Sequence, residues 1–146
     1  MANSIATSGA LLAYSLDLQS TYERLSSLDT RKKKGQFFTP PEVCRFMASL
    51  VCANSPTRFR LLDPGAGVGS LTAAVCDRFL NLGSCHCLEI HLFENDPEVL
   101  PFLHRVMDLC AETLIEHGCS MTYEIHEKDF ILDAAASVFG PPSLFS

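Results

Sequence analysis

Three acidic side chains stand where a sheet of parallel strands would meet a ligand. Asp63 closes the run Phe59-Arg60-Leu61-Leu62, and the glycine-rich stretch Pro64-Gly65-Ala66-Gly67-Val68-Gly69 follows at once. Glu94 closes a second apolar run, 25 residues beyond Gly69, with Asn95 and Asp96 after it. Asp129, in Lys128-Asp129-Phe130, follows a third. Glycines let the backbone pass close beneath a ligand and turn sharply into a helix. Open parallel sheets bind ligands beyond the carboxyl ends of their strands, which is where these acids fall.

The chemistry differs at each place. A glycine-rich turn alone is compatible with several nucleotide cofactors, nicotinamide and flavin included. A carboxylate directly before it repels a pyrophosphate. It suits a cationic methionine tail, whose ammonium Asp63 can meet directly or through water. Glu94 can accept both hydroxyls of a ribose, in line with nucleoside-binding sheets. Asp96 reads as a cap for the next helix, with Pro97 at its first position. A side-chain oxygen at Asp129 can take an adenine amino group, and Phe130 can pack on the ring. The plain alternatives are a structural tight turn at Asp63 and a turn aspartate beside a core phenylalanine at Asp129.

The elements that must position these groups follow from periodicity. Leu11, Tyr14, Leu18, Tyr22 and Leu25 recur at helical spacing, predicting an amphipathic helix to about Leu28, ended by Arg31-Lys32-Lys33-Lys34 and Gly35. That basic run reads as a solvated loop or a phosphate contact. Thr39 as N-cap, Pro40 at the first position and Glu42 closing a capping box predict a second helix to about Ala53. Val43, Phe46, Met47 and Leu50 form its apolar face, and Asn54-Ser55-Pro56 breaks it. Strands are then expected at 59–63, 85–94 and 121–126, with helices from Ser70 to Leu82 and from Pro97 to His117, closed by Gly83 and Gly118. This βαβαβ order implies a parallel sheet with right-handed crossovers. We expect a helical segment over 1–57 and a partial α/β domain over 58–146, lacking its fourth strand onward. Asp133 to Ser146 reads as a loop or short helix. A three-stranded sheet keeps an open edge, which invites a partner chain or self-association.

Bulk properties fit a single domain. The 146 residues are 47% apolar and 19% charged. The formal charge of −6 is uneven: residues 1–60 carry +4 and residues 61–146 carry −10. Charge therefore does not mark the whole chain as a nucleic-acid binder. No apolar run reaches the roughly 18 residues of a membrane span, so no membrane association is expected, and Met1 to Ala10 has no basic leader. Seven cysteines, none in a C-x-x-C pair, suggest reduced thiols and a cytoplasmic protein. Cys85-His86-Cys87 alternates along an expected strand without downstream ligands, so no metal is expected.

Gly35-Gln36-Phe37-Phe38-Thr39-Pro40, followed by Leu62-Asp63-Pro64-Gly65-Ala66-Gly67-Val68-Gly69, resembles the adenine-specific DNA methyltransferases of restriction–modification systems. The order is that of their gamma arrangement, with motif X before motif I. Phe93-Glu94-Asn95-Asp96 is similar to motif II and Lys128-Asp129-Phe130 to motif III, so the resemblance covers about residues 30–131. It implies a partial Rossmann-like S-adenosylmethionine-dependent methyltransferase fold, its parallel sheet preceded by N-terminal helices. It also implies roles. Phe38, Thr39 and Pro40 would lie against the methionine end, and Asp63, Gly65, Ala66 and Gly67 would form the floor. Glu94, beside Asn95, would bind the ribose, and Asp129 with Phe130 the adenine.

One departure concerns the chemistry itself. The family's catalytic tetrapeptide is [Asp/Asn/Ser]-Pro-Pro-[Tyr/Phe]. Gly140-Pro141-Pro142-Ser143 has neither the polar first side chain nor the aromatic fourth one that a flipped base requires. We therefore assign no catalytic residue and expect cofactor binding without methyl transfer by these residues alone. DNA would be the partner of a full-length enzyme, bound weakly or not at all by this chain. A module that pairs with a separate catalytic or recognition chain, and a methyltransferase acting on another acceptor, are the alternatives.

Overall fold

The computed structural model describes residues 9–52, 58–83 and 87–139. Three parallel strands, β1 (Arg58–Asp63), β2 (Cys87–Phe93) and β3 (Ser120–His126), lie in the order β1-β2-β3. The helices are α1 (Ala10–Leu25), α2 (Leu28–Lys33), α3 (Pro41–Ser49), α4 (Ser70–Leu82), α5 (Leu100–Glu116) and α6 (Phe130–Phe139). Helix α4 connects β1 to β2, and α5 connects β2 to β3, so the architecture is α/β as expected.

Strand alternation gives the sheet two unlike faces. Leu88, Ile90 and Leu92 of β2 are fully buried, with Leu61 and Tyr123 in register on either side of Ile90. This face shares one core with α1, α3, α4 and α5, through Leu12, Cys44, Ala73, Leu103 and Met107 among others. The N-terminal helices are thus built into the same core as the sheet. The opposite face carries Arg58, Arg60, Leu62, Glu89, His91 and Glu124. There Arg58 Nη2 donates to Glu89 Oε2 at 2.9 Å.

A buried carboxylate joins the two parts. Asp77, inside α4, accepts from the backbone N–H groups of Leu11 at 3.1 Å and Leu12 at 2.9 Å. These are orphan donors of the first turn of α1. Its own N-cap, Gly9, offers no side chain. Burial raises the Asp77 carboxyl above the ordinary range, against the pull of those two bonds.

The structure moves several expected boundaries. Helix α1 stops at Leu25 because Ser26 turns extended and its hydroxyl donates to Tyr22 O at 3.0 Å. Ser27 Oγ then accepts from Thr30 N at 3.1 Å and starts α2. Arg31, Lys32 and Lys33 are therefore helical rather than a loop that ends α1.

Helix α3 is capped by Pro40, not Thr39, and no side-chain cap forms. A residue before a proline is pushed out of the helical region. With Pro41 next, Pro40 takes ψ 146° and cannot occupy the first helical position. The helix ends at Ser49 rather than near Ala53, which lies outside the described residues. Its orientation is also reversed from expectation. Cys44 and Ala48 are buried, while Val43, Phe46, Met47 and Leu50 are exposed.

Helix α5 begins at Leu100 instead of Pro97, because Pro97–Val99 forms a turn closed by Val99 N on Asp96 O at 3.0 Å. Asp96 does cap this turn, its Oδ1 accepting from Glu98 N at 2.9 Å. Strand β2 begins at Cys87; Cys85, His86 and Gly140 to Ser143 lie outside the described residues. No helix of the described residues is long and apolar enough to cross a membrane.

Candidate functional site

The carboxyl ends of β1 and β2 open into a cleft of about 640 Å³. Its floor is the turn between β1 and α4. Gly67 and Gly69 both take left-handed backbone angles, φ 56° and 93°, which L side chains avoid. Each is also crowded. A Cβ on Gly67 would stand 3.2 Å from Cδ1 and Cε1 of Phe38, and one on Gly69 would stand 2.9 Å from Cε of Met107. Nothing lies within 4 Å of a Cβ built on Gly65. The glycines therefore do different work: Gly67 admits the Phe38 ring, Gly69 admits α5, and Gly65 leaves open space over the floor.

Backbone bonds fix the turn to β2. Ala66 N donates to Phe93 O at 3.0 Å, and Glu94 N donates to His126 O at 3.1 Å. The Glu94 carboxylate spans the gap between strands. Its Oε2 accepts from Gly67 N at 3.0 Å, and its Oε1 accepts from Asn95 N and Asp96 N, each at 3.0 Å. A carboxylate has about four acceptor positions, so three backbone donors leave room for one more.

The roof is the loop after α2. Phe38 meets Tyr22 edge to face, with centroids 5.8 Å apart. The Tyr22 hydroxyl donates to Gln36 Oε1, and the Gln36 amide donates to Asp96 Oδ2. Lys34 Nζ lies 3.2 Å from the same Oδ2 and 2.8 Å from Glu98 Oε2. Asp96 is thus a nearly buried anchor for the roof loop. Burial alone would raise its carboxyl, but the Glu98 N–H, the Lys34 ammonium and the Gln36 amide outweigh it and hold the group below the usual range.

Phe38, Thr39, Gly65, Ala66, Gly67, Glu94 and Asn95 all line this cleft. Four other residues singled out in the sequence sit elsewhere. Pro40 caps α3, its carbonyl accepting from Val43 N and Cys44 N. Asp63 is buried behind the turn, where Thr72 Oγ1 donates to its Oδ2 at 2.8 Å. Burial raises its carboxyl, opposed by the Thr72 hydroxyl and the Gly65 N–H. Asp129 caps α6, its Oδ1 accepting from Leu132 N at 3.1 Å. Phe130 packs edge to face on Phe93 at 5.1 Å.

The cleft also holds groups that periodicity did not single out. Gln19 of α1 lines it. Its Nε2 donates to Glu23 Oε1 at 3.0 Å, which fixes the amide orientation. Its Oε1 is then buried without a hydrogen-bond partner among the described residues. Gln36 lies in the Gly35-Gln36-Phe37-Phe38-Thr39-Pro40 stretch, but its two partners are 14 and 60 residues away, beyond any local pattern.

Comparison with known proteins gives the family. The family described as N-6 DNA Methylase matches residues 17–135. The chain is 33% identical over 121 residues to the Type II methyltransferase M.BsuBI of Bacillus subtilis, covering 82% of this chain and 23% of that protein. It is 34% identical over 108 residues to the Type II methyltransferase M.PstI of Providencia stuartii, covering 73% of this chain and 21% of that protein. The chain therefore spans less than a quarter of the length of these relatives. No solved structure matches it. With the match running through most of its length, residues 17–135, the chain belongs to the N-6 DNA methylase family.

Proposed function

We propose that this chain is the S-adenosylmethionine-binding portion of a DNA adenine N6 methyltransferase of a restriction–modification system, with a partial Rossmann-like fold. The carrying observation is the cleft in which Phe38 and Thr39 face Gly65, Ala66, Gly67 and Glu94. The residues present fit the cofactor. The volume of about 640 Å³ lies within the range of small-molecule sites. Glu94 keeps one acceptor position open at the cleft, and a Cβ built on Gly65, which lines it, would meet nothing within 4 Å.

When bound, the cofactor supplies an electrophilic methyl group on a sulfonium centre. The protein's part is to hold it. Glu94 offers its remaining acceptor position to a ribose hydroxyl while its other contacts keep the carboxylate aimed. Phe38 and Thr39 cover the methionine end. Asp63 acts from behind, holding the turn through Thr72 and Gly65, and reaches the ammonium only through intervening water. Asp129 and Phe130 stand outside the cleft lining, so their adenine role requires movement of the start of α6.

Neither Pro-Pro sequence present, Thr39-Pro40-Pro41-Glu42 or Gly140-Pro141-Pro142-Ser143, carries the side chains that hold a flipped adenine. We infer that this chain binds cofactor and leaves methyl transfer to DNA to residues it does not contain. A second reading, a module that pairs with a separate catalytic chain, is favoured by the exposed Leu62 on β1 and Phe46 and Leu50 on α3.

Titration calorimetry with S-adenosylmethionine tests the proposal. Saturable binding is expected, weakened tenfold or more by Glu94→Ala, since a hydrogen bond to a charged group contributes about 1.5–3 kcal/mol. Absence of binding by the folded chain, or tighter binding of a nicotinamide dinucleotide, would overturn it.

A further inference from the structure

The face of the sheet opposite the core carries a cluster that the cofactor cleft does not use. His91 of β2 is in register with Glu124 of β3, and Phe93 with His126. Glu124 and His126 are two residues apart on one strand, so they project from the same face as His91. One ligand atom from each of the three lies within 4.8 Å of the other two. His91 Nδ1 is 3.0 Å from His126 Nε2 and 3.8 Å from Glu124 Oε2. Tetrahedral ligands at zinc bond lengths of about 2.0–2.1 Å stand about 3.3 Å apart. Side-chain adjustments of about an ångström therefore bring all three to bonding distance.

The surroundings favour a cation further. His91 Nε2 is 3.0 Å from Glu89 Oε1. A carboxylate accepts only, so Nε2 carries a proton; in the neutral ring Nδ1 then accepts the 3.0 Å hydrogen bond from His126 Nε2, the bond that a metal ion would replace. Metal-bound histidines are held in this way by an outer carboxylate. Glu89 is itself fixed by Arg58 at 2.9 Å and Arg60 at 3.6 Å. The His126 ring stacks on Phe93 at 4.5 Å, which restrains its rotation.

We propose that His91, Glu124 and His126 form a binding site for a divalent transition-metal ion, with Zn²⁺ the best match to two imidazoles and one carboxylate. A fourth position stays open to water. The ion would clamp β2 to β3 at their carboxyl ends. It would sit close to Glu94, whose N–H already donates to His126 O at 3.1 Å. The site stands on side chains that the proposed cofactor cleft does not employ, so the two readings succeed or fail separately.

The test is Zn²⁺ binding to the purified, chelator-stripped chain, measured by competition with a chromophoric chelator and by thermal unfolding. Thiols such as Cys52 and Cys87 also bind zinc, so X-ray absorption at the zinc edge must identify the ligands. One equivalent bound through nitrogen and oxygen is expected, with a raised melting temperature. His91→Gln and His126→Gln should abolish both effects, and Cys87→Ser should abolish neither. Glu89→Gln, which keeps the shape but not the charge, should weaken binding about 10–100-fold. A sulfur-only zinc shell, or unchanged affinity in both histidine variants, would overturn the site. Circular dichroism of each variant verifies that these substitutions at half-buried positions leave the fold intact.

Discussion

The ring of Phe38 lies against the backbone of Gly67, so closely that a single added methyl group would stand 3.2 Å from two ring carbons. This contact joins the roof of the cleft to its floor. Gly67 also holds φ 56°, so substitution there meets two penalties at once. Gly67→Ala should lose about 1–2 kcal/mol from the left-handed backbone alone and displace Phe38 as well. Phe38→Ala removes the ring without backbone strain. Both variants should bind S-adenosylmethionine more weakly, but chemical denaturation should separate them. A Gly67→Ala chain with wild-type stability would contradict the assigned geometry.

Gly69 makes a contrasting case. Its crowding comes from α5: a methyl group added there would stand 3.0 Å from Leu103 Cδ1 and 2.9 Å from Met107 Cε. Both atoms are ends of flexible side chains, but both side chains are fully buried. Overpacking of about 1–3 kcal/mol should add to the cost of φ 93°. Gly69→Ala is therefore expected to lower the melting temperature more than Gly67→Ala does, with thermal unfolding as the measurement.

Asp77 caps α1 from another helix. Removing an N-cap acceptor costs about 0.5–2 kcal/mol, and here two donors, Leu11 N and Leu12 N, lose their partner in the interior. Asp77→Ala should fall at the upper end of that range. Asp77→Asn keeps one acceptor oxygen and should fall between Ala and wild type. Hydrogen exchange of the Leu11 and Leu12 amides should accelerate in the same order.

Asp63 gives stability a specific pH dependence. Burial raises its carboxyl above the ordinary value of 3.8, so the folded chain holds this proton more tightly than the unfolded chain does. The group's contribution is most favourable below 3.8 and declines as pH rises through the folded value. Asp63→Asn retains an acceptor for Thr72 and removes this slope. The difference in denaturation midpoint, variant minus wild type, should rise across that window and then level off.

The thiols should separate by reactivity. Cys44, Cys76 and Cys110 are buried, whereas Cys52 is exposed. Burial, with the nearby Asp63 carboxylate, also raises the Cys44 thiol, which suppresses the reactive thiolate. Native-state alkylation followed by mass spectrometry should modify Cys52 well before these three. Early labelling of Cys44 would mean that α3 detaches from α4.

Local patterns carried much of the fold. The run from Ser70 to Leu82 ends at Gly83 in the left-handed C-cap conformation, as its periodicity and closing glycine require. The βαβαβ order follows from alternating apolar runs and turns, and Glu94 falls at a strand end for the same reason. These are readings over a few neighbouring residues, where spacing and backbone chemistry suffice. Helix α3 exceeded that reach. Its apolar stripe is plain in the sequence, but the face it buries is set by close approach to α4 through the small residues Cys44 and Ala48. Tertiary structure likewise decided that Asp96 receives Lys34 and Gln36, that Asp77 caps α1, and that His91 meets Glu124 and His126. Each such contact joins residues tens of positions apart. Only strand register and helix packing set that distance, because the side chains involved are compatible with many other partners until the backbone fixes which of them arrive.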